Sequence, residues 1–125
     1  MTTPIKLPIL APNDLAALSE FIRQMRERFS QKIIHVWLFG SKARGEKNPE
    51  SDIDLLIVAR DDEWEFEKSV TRIATQIDLA HNVVLSDHIV DLNRFKQMES
   101  RGEPLYHSIM REGVDLWTME LQPTI

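Results

Sequence analysis

The sequence predicts an α/β (α+β) domain, a small mixed β-sheet with helices packed mainly on one face. Two observations lead there. Apolar residues recur at three- and four-residue steps in some stretches and form short near-continuous runs in others, so helical and strand periods alternate along the chain. At 125 residues and 42% hydrophobic content, the chain is long enough for one compact core and short for two. The expected organisation is an extended arm over 1–12 followed by a single domain over 13–125.

Each element has its own local reason. Pro4, Pro8 and Pro12 oppose a helix, which makes the start an arm. Asn13 or Asp14 can cap a helix in which Leu15, Leu18, Ile22, Met25 and Phe29 share a face. From Ile33 to Phe39 the run is apolar except for His35, as expected of a strand covered on both faces. Gly40 and Ser41 end it, and "SKARGEK" is expected to coil for one or two helical turns before a polar loop. Asp52 to Ala59 is the second strand. Asp61 or Asp62 can cap a helix with Phe66, Val70, Ile73 and Ile77 as its stripe. Asn82 to Val90 returns to strand character, followed by a short helix from about Asp91 to Ser100. A break at Gly102 and Pro104 leads to a last helix, Leu105 to Glu112, with Gly113 as its C-terminal cap and Val114 to Trp117 as an edge strand.

Composition narrows the function. A net charge of -5 supplies no overall basic field, so direct nucleic-acid binding is not expected and a polyanionic substrate needs a local cation. No cysteine is present, which removes disulfides, thiolate zinc sites and thiol nucleophiles, and fits a cytoplasmic setting. The apolar runs are too short to span a bilayer, and the N-terminus lacks a basic start followed by an apolar segment, so neither membrane nor signal peptide is expected. His81, His88 and His107 have no ligand spacing for zinc, and Trp37, Trp64 and Trp117 read as scattered apolar anchors.

The chemistry concentrates in "FGSKARGEKNPESDIDLLIV". Residues two apart in a strand point to one side, so Asp52 and Asp54 converge while Ile53, Leu55 and Ile57 face the other way. Two carboxylates that close repel unless a cation bridges them, and a hard ion such as Mg²⁺ or Mn²⁺ suits oxygen ligands. Upstream, Gly40 allows a ligand close to the backbone, the Ser41 hydroxyl and following N–H groups can hold phosphate oxygens, and Arg44 can add a charged donor. A phosphate cradle thus ends one strand where a carboxylate pair begins the next, as a metal-complexed nucleoside triphosphate requires.

Gly40-Ser41, ten intervening residues and Asp52-Ile53-Asp54 resemble the Gly-Ser-x10-Asp-x-Asp pattern of nucleotidyltransferases with the DNA polymerase β-like fold. The flanking Ala43-Arg44-Gly45 and Ser51 match as well, and the whole stretch looks like the minimal nucleotidyltransferases of prokaryotes, often encoded beside a HEPN-domain partner. The resemblance implies transfer of AMP from ATP to an acceptor hydroxyl with release of pyrophosphate. It implies phosphate contacts from Gly40 and Ser41, with Arg44 as a further contact, and two Mg²⁺ ions held by Asp52 and Asp54. It also implies a third carboxylate on a later strand, for which the candidates are Asp87, inside the strand-like run, and Asp91, which is better placed to cap a helix; Asp87 is preferred.

The biological setting implied by the resemblance is an antitoxin of a toxin–antitoxin pair that modifies a HEPN toxin. Such a small chain is expected to borrow surface from that partner or from a second copy of itself. Two other readings are a nucleotide- or partner-binding module with weak catalysis and a transferase acting on a small molecule such as an aminoglycoside.

Overall fold

The computed structural model describes residues 10–46 and 48–118. Along the chain these form α1 (Pro12–Phe29), β1 (Ile33–Phe39), β2 (Ile53–Ala59), α2 (Trp64–His81), β3 (Leu85–Asp91), α3 (Leu92–Ser100), α4 (Pro104–Glu112) and β4 (Val114–Asp115). The sheet order is β3-β2-β1-β4. β1 runs antiparallel to β2 and β4, whereas β2 and β3 are parallel and are joined through α2. The polar connection between β1 and β2 needs no helix because an antiparallel pair can turn back directly; the parallel pair requires the long crossover.

Alternation along the strands divides the sheet into two faces. Val36, Leu38, Ile53, Leu55 and Ile57 point toward α1 and α2 and form the larger core with Phe21, Met25, Phe66 and Ile73. Leu56 and Val58 point the other way, where Met98 of α3 and Ile109 of α4 cover them. The two long helices therefore lie on one face, and the two short ones cover part of the opposite, open face. Leu55 and Ile57 are fully buried, and such side chains stabilise a fold by about 1.5–3 kcal/mol each.

Several local details differ from expectation. Pro12 is the first helical residue rather than the last of an arm, and residues 1–9 of the expected arm lie outside the described residues. The N-cap of α1 is Ala11 and that of α2 is Glu63, neither with a side-chain cap. The expected caps are engaged elsewhere: Asp14 pairs with Lys42 and Asp61 with Lys32. The third strand starts at Leu85 because Asn82 turns left-handed (φ 54°) at the end of α2 and the Asp78 carboxylate accepts the Leu85 N–H at 2.8 Å. Trp64 is 68% exposed and anchors nothing in the core. Asp91 does cap α3, accepting the Arg94 N–H at 2.7 Å, and the edge strand β4 forms, its Asp115 carboxylate 2.7 Å from the His35 ring.

α1 and α2 are also joined by Glu20 and His81, 2.6 Å apart. The hydrogen bond to His81 holds the Glu20 carboxyl below its ordinary value. A depressed acid stabilises the fold above its unfolded pKa and loses that contribution as pH falls through the folded one. Glu20→Gln is therefore expected to lower the thermal midpoint by about 2 °C at pH 6 to 7, with the gap from wild type closing as pH falls below 4.5. Melts across that range check it.

Candidate active site

The site begins where β1 ends. Gly40 follows Phe39 with φ +76°, a conformation that L side chains rarely adopt. A Cβ at this position would collide with the Asp54 carboxylate and sit 3.2 Å from its Cγ. The antiparallel register explains the closeness, since Phe39 lies opposite Asp54. The chain after Gly40 coils through a single turn, closed by the Arg44 N–H to Gly40 O at 3.3 Å and the Glu46 N–H to Ser41 O at 3.0 Å. Over its described residues 41–46, "SKARGEK" makes one turn, the lower of the one or two expected.

Ser41 donates its hydroxyl to Ser51 Oγ at 3.3 Å, so the residue after Gly40 reaches the residue before Asp52. Arg44 is exposed and engaged by two acids, Glu46 at 3.3 Å and Glu112 at 3.2 Å. Both hold its guanidinium more firmly protonated than usual. To contact a phosphate it would exchange these partners.

Asp52 is exposed and Asp54 half-buried at the start of β2. Burial pushes the Asp54 carboxyl above its usual range and the adjacent Asp52 charge adds to that, while His88 and Arg44 act in the opposite direction. Such a pair suits a hard divalent cation, whose charge would offset both the desolvation and the repulsion. Among the described residues no group of three or more His, Cys, Asp or Glu forms a metal-binding cluster. Two carboxylates still fit Mg²⁺, which commonly takes one or two from a protein and its other ligands from water and substrate phosphates.

Asp87 does not join this pair. The parallel register sets Asp54 beside Ser86, Leu55 beside Asp87 and Leu56 beside His88. Paired residues share a face, so Asp87 points to the α2 side, where Thr71 donates to it at 3.2 Å. Asp91 is occupied as the cap of α3. The β3 residues that accompany Asp54 on the open face are Ser86 and His88, 3.4 Å apart. Sequence reasoning missed both, although the signal was present. Leu85 and Ile89 belong to the larger core, and alternation then puts Asp87 with them and Ser86 and His88 opposite.

Beyond Asp54 a groove of ≈ 650 Å³ runs from the open face round the β3 edge, lined by Phe39, Leu56, His88 and Met98 with Arg94 and Glu103, and on its α2 side by Glu67 and Asp87. An acceptor approaching the carboxylates thus meets a partly apolar surface. Lys42 is a third residue missed. A lysine in an exposed-looking polar loop, it is only 4% exposed and paired with Asp14.

A nucleotidyltransferase domain model matches residues 18–112. MJ0604 of Methanocaldococcus jannaschii, a chain named for protein adenylyltransferase activity, is 35% identical over 74 residues, covering 59% of this chain and 70% of that one. MJ0141 of the same organism, similarly named, is 33% identical over 70 residues, 55% and 71% of the two chains. Among solved structures, a toxin–antitoxin complex of MntA and HpeT superposes with a TM-score of 0.52 at 21% identity over 82% of this chain and 73% of that one. A toxin–antitoxin structure with AMP-PNP gives 0.53 at 20%, covering 82% and 74%, and a minimal nucleotidyltransferase structure 0.51 at 24%, covering 84% and 95%. With the family model spanning most of the chain and the carboxylate pair set against the glycine turn, this chain belongs to the nucleotidyltransferase domain family.

Proposed function

We propose that the chain transfers AMP from ATP to a hydroxyl of a HEPN-domain toxin, as the antitoxin of a toxin–antitoxin pair, with Mg²⁺ held by Asp52 and Asp54. The observation that carries this reading is the seating of Gly40 directly against the Asp54 carboxylate, which leaves no side chain between the phosphate cradle and the metal ligands. The acceptor is inferred from the resemblance and from the fold likeness to an MntA–HpeT toxin–antitoxin structure.

In the reaction, the acceptor hydroxyl oxygen bonds to the α-phosphorus as its proton passes to water, the bond from that phosphorus to the bridging oxygen breaks, and pyrophosphate leaves with the bridging oxygen. Gly40 and Ser41 hold the β- and γ-phosphates, fixing the line of attack. Asp52 and Asp54 would hold the cation through their carboxylate oxygens. When bound, that ion neutralises charge on the phosphoryl group and lowers the pKa of the attacking hydroxyl. The groove beyond Asp54 receives the acceptor and keeps part of the water away.

A second reading, nucleotide or partner binding with weak turnover, is favoured by one observation. Beside Asp54, β3 offers Ser86 and His88 in place of a carboxylate. The test is incubation with α-phosphate-labelled ATP, Mg²⁺ and the neighbouring HEPN protein, with an aminoglycoside in a parallel arm. Label on the HEPN protein is the expected result, and Asp87→Asn, a groove-lining residue bonded to Thr71 and not paired with Asp54, is expected to lower it by much less than Asp54→Asn does. ATP binding without label would move the conclusion to the second reading, and label on the aminoglycoside alone would replace the acceptor.

A further inference from the structure

Lys42 and Asp14 form a buried ion pair that the proposed chemistry does not use. Their exposures are 4% and 5%, and Lys42 Nζ lies 2.9 Å from Asp14 Oδ2. Nζ also donates to Asn48 O at 2.9 Å. The same carbonyl accepts the Ser51 hydroxyl at 2.9 Å, and Ser51 Oγ in turn accepts from Ser41 Oγ at 3.3 Å. One ammonium thus joins the first turn of α1 to a bonded path that reaches both Ser41 and the residue before Asp52.

Taking two charges out of water is costly, and a buried pair is often no more stabilising than apolar side chains of similar size. Simple stability is therefore a weak reason for this pair. Its placement gives a better one. The connection between β1 and β2 is long and polar, yet its two ends carry groups that must face one triphosphate together.

We propose that Lys42 is a positioning residue, its buried ammonium tying α1 to the loop so that the Gly40–Ser41 turn and the Asp52–Asp54 pair stay in fixed relation. Lys42 touches no substrate and acts through Ser41, Ser51 and the backbone between them. The inference rests on the nucleotidyltransferase reading of the site.

The test uses the full chain with Asp14→Leu and Lys42→Met combined, so that both charges leave together, and separately with Ser51→Ala, a mild change that breaks the path further on. Three quantities are read: thermal midpoint, amide hydrogen exchange over 41–46 without nucleotide, and the Kd for MgATP. The double variant is expected to keep a midpoint near wild type, exchange its loop amides about tenfold faster and bind MgATP about tenfold more weakly. Ser51→Ala should move exchange and Kd the same way by about threefold. Unchanged exchange and Kd in a folded double variant would overturn the role, and if that variant fails to fold, unchanged values in Ser51→Ala would do so. A wild type that does not bind MgATP would defeat the reading of the site instead, and loop exchange alone would then decide the tie.

Discussion

Asp54→Asn is expected to lower nucleotidyl transfer by at least about 10²–10³-fold and, at the same time, to raise the thermal midpoint of the metal-free protein. The two effects have one origin. Asp54 sits half-buried with a like charge beside it, and burial and Asp52 together push its carboxyl above the ordinary value of 3.8. A carboxyl with a raised folded pKa makes the native state bind more protons than the unfolded one just above that value. Stability without metal therefore declines as pH rises through the window, and the ionised carboxylate remains a burden above it. Asparagine keeps the shape and drops the charge, so the variant should melt higher than wild type at pH 7 and show less decline across the window.

Adding Mg²⁺ with nucleotide should reverse the order, because a ligand that binds only the native wild type raises its stability and the variant lacks half of the carboxylate pair. Asp52→Asn is the comparison. Its carboxylate is exposed, so the loss of transfer should be similar and the gain in midpoint smaller. An Asp54→Asn protein that melts lower than wild type without metal, or that still transfers label, would sink this account.

How far these features were legible in the sequence depended on the distance over which their causes act. The second strand and the two carboxylates were readable because period two is a local property, and the Gly40-Ser41 turn because glycine after an apolar run marks its end. Asp87 was preferred as the third carboxylate for its presence in a strand, whereas which neighbours share its face decides its distance from Asp54. Leu85 and Ile89 fix that face, and Thr71 of α2 then meets Asp87.

The N-caps expected of α1 and α2 failed for a different reason. Asp14 and Asp61 had the right chemistry, but lysines from elsewhere in the chain, Lys42 and Lys32, take them, and a partner separated by many residues outweighs a local preference that is worth about 1 kcal/mol. Gly113 is the C-terminal cap of α4, as expected, with an extended φ of −71° and its N–H bonded to Ile109 O. It is glycine because a Cβ would come within 2.5 Å of Ile109 O, a contact that only the folded turn creates.

The same distinction between backbone freedom and close approach separates two glycines of the site loop, and it sets the last expectation. Gly40 and Gly45 have nearly equal torsions, φ +76° and φ +77°, but a Cβ at Gly45 would meet nothing within 4 Å whereas one at Gly40 would strike the Asp54 carboxylate. Gly45→Ala should therefore lose only the backbone term, about 1–2 kcal/mol of stability, and keep its transfer rate. Gly40→Ala should carry that same term and in addition displace the carboxylate, and a shift of about 1 Å at a reacting centre can cost on the order of 100-fold in rate. Melts and single-turnover label transfer on the two variants measure the two terms separately. Because the added loss acts through Asp54, introducing Gly40→Ala into an Asp54→Asn protein should reduce activity by much less than it does in wild type, a coupling expected of residues in contact. Equal activity losses in the Gly40 and Gly45 variants would mean that the torsion, and not the seat against Asp54, is why glycine stands at position 40.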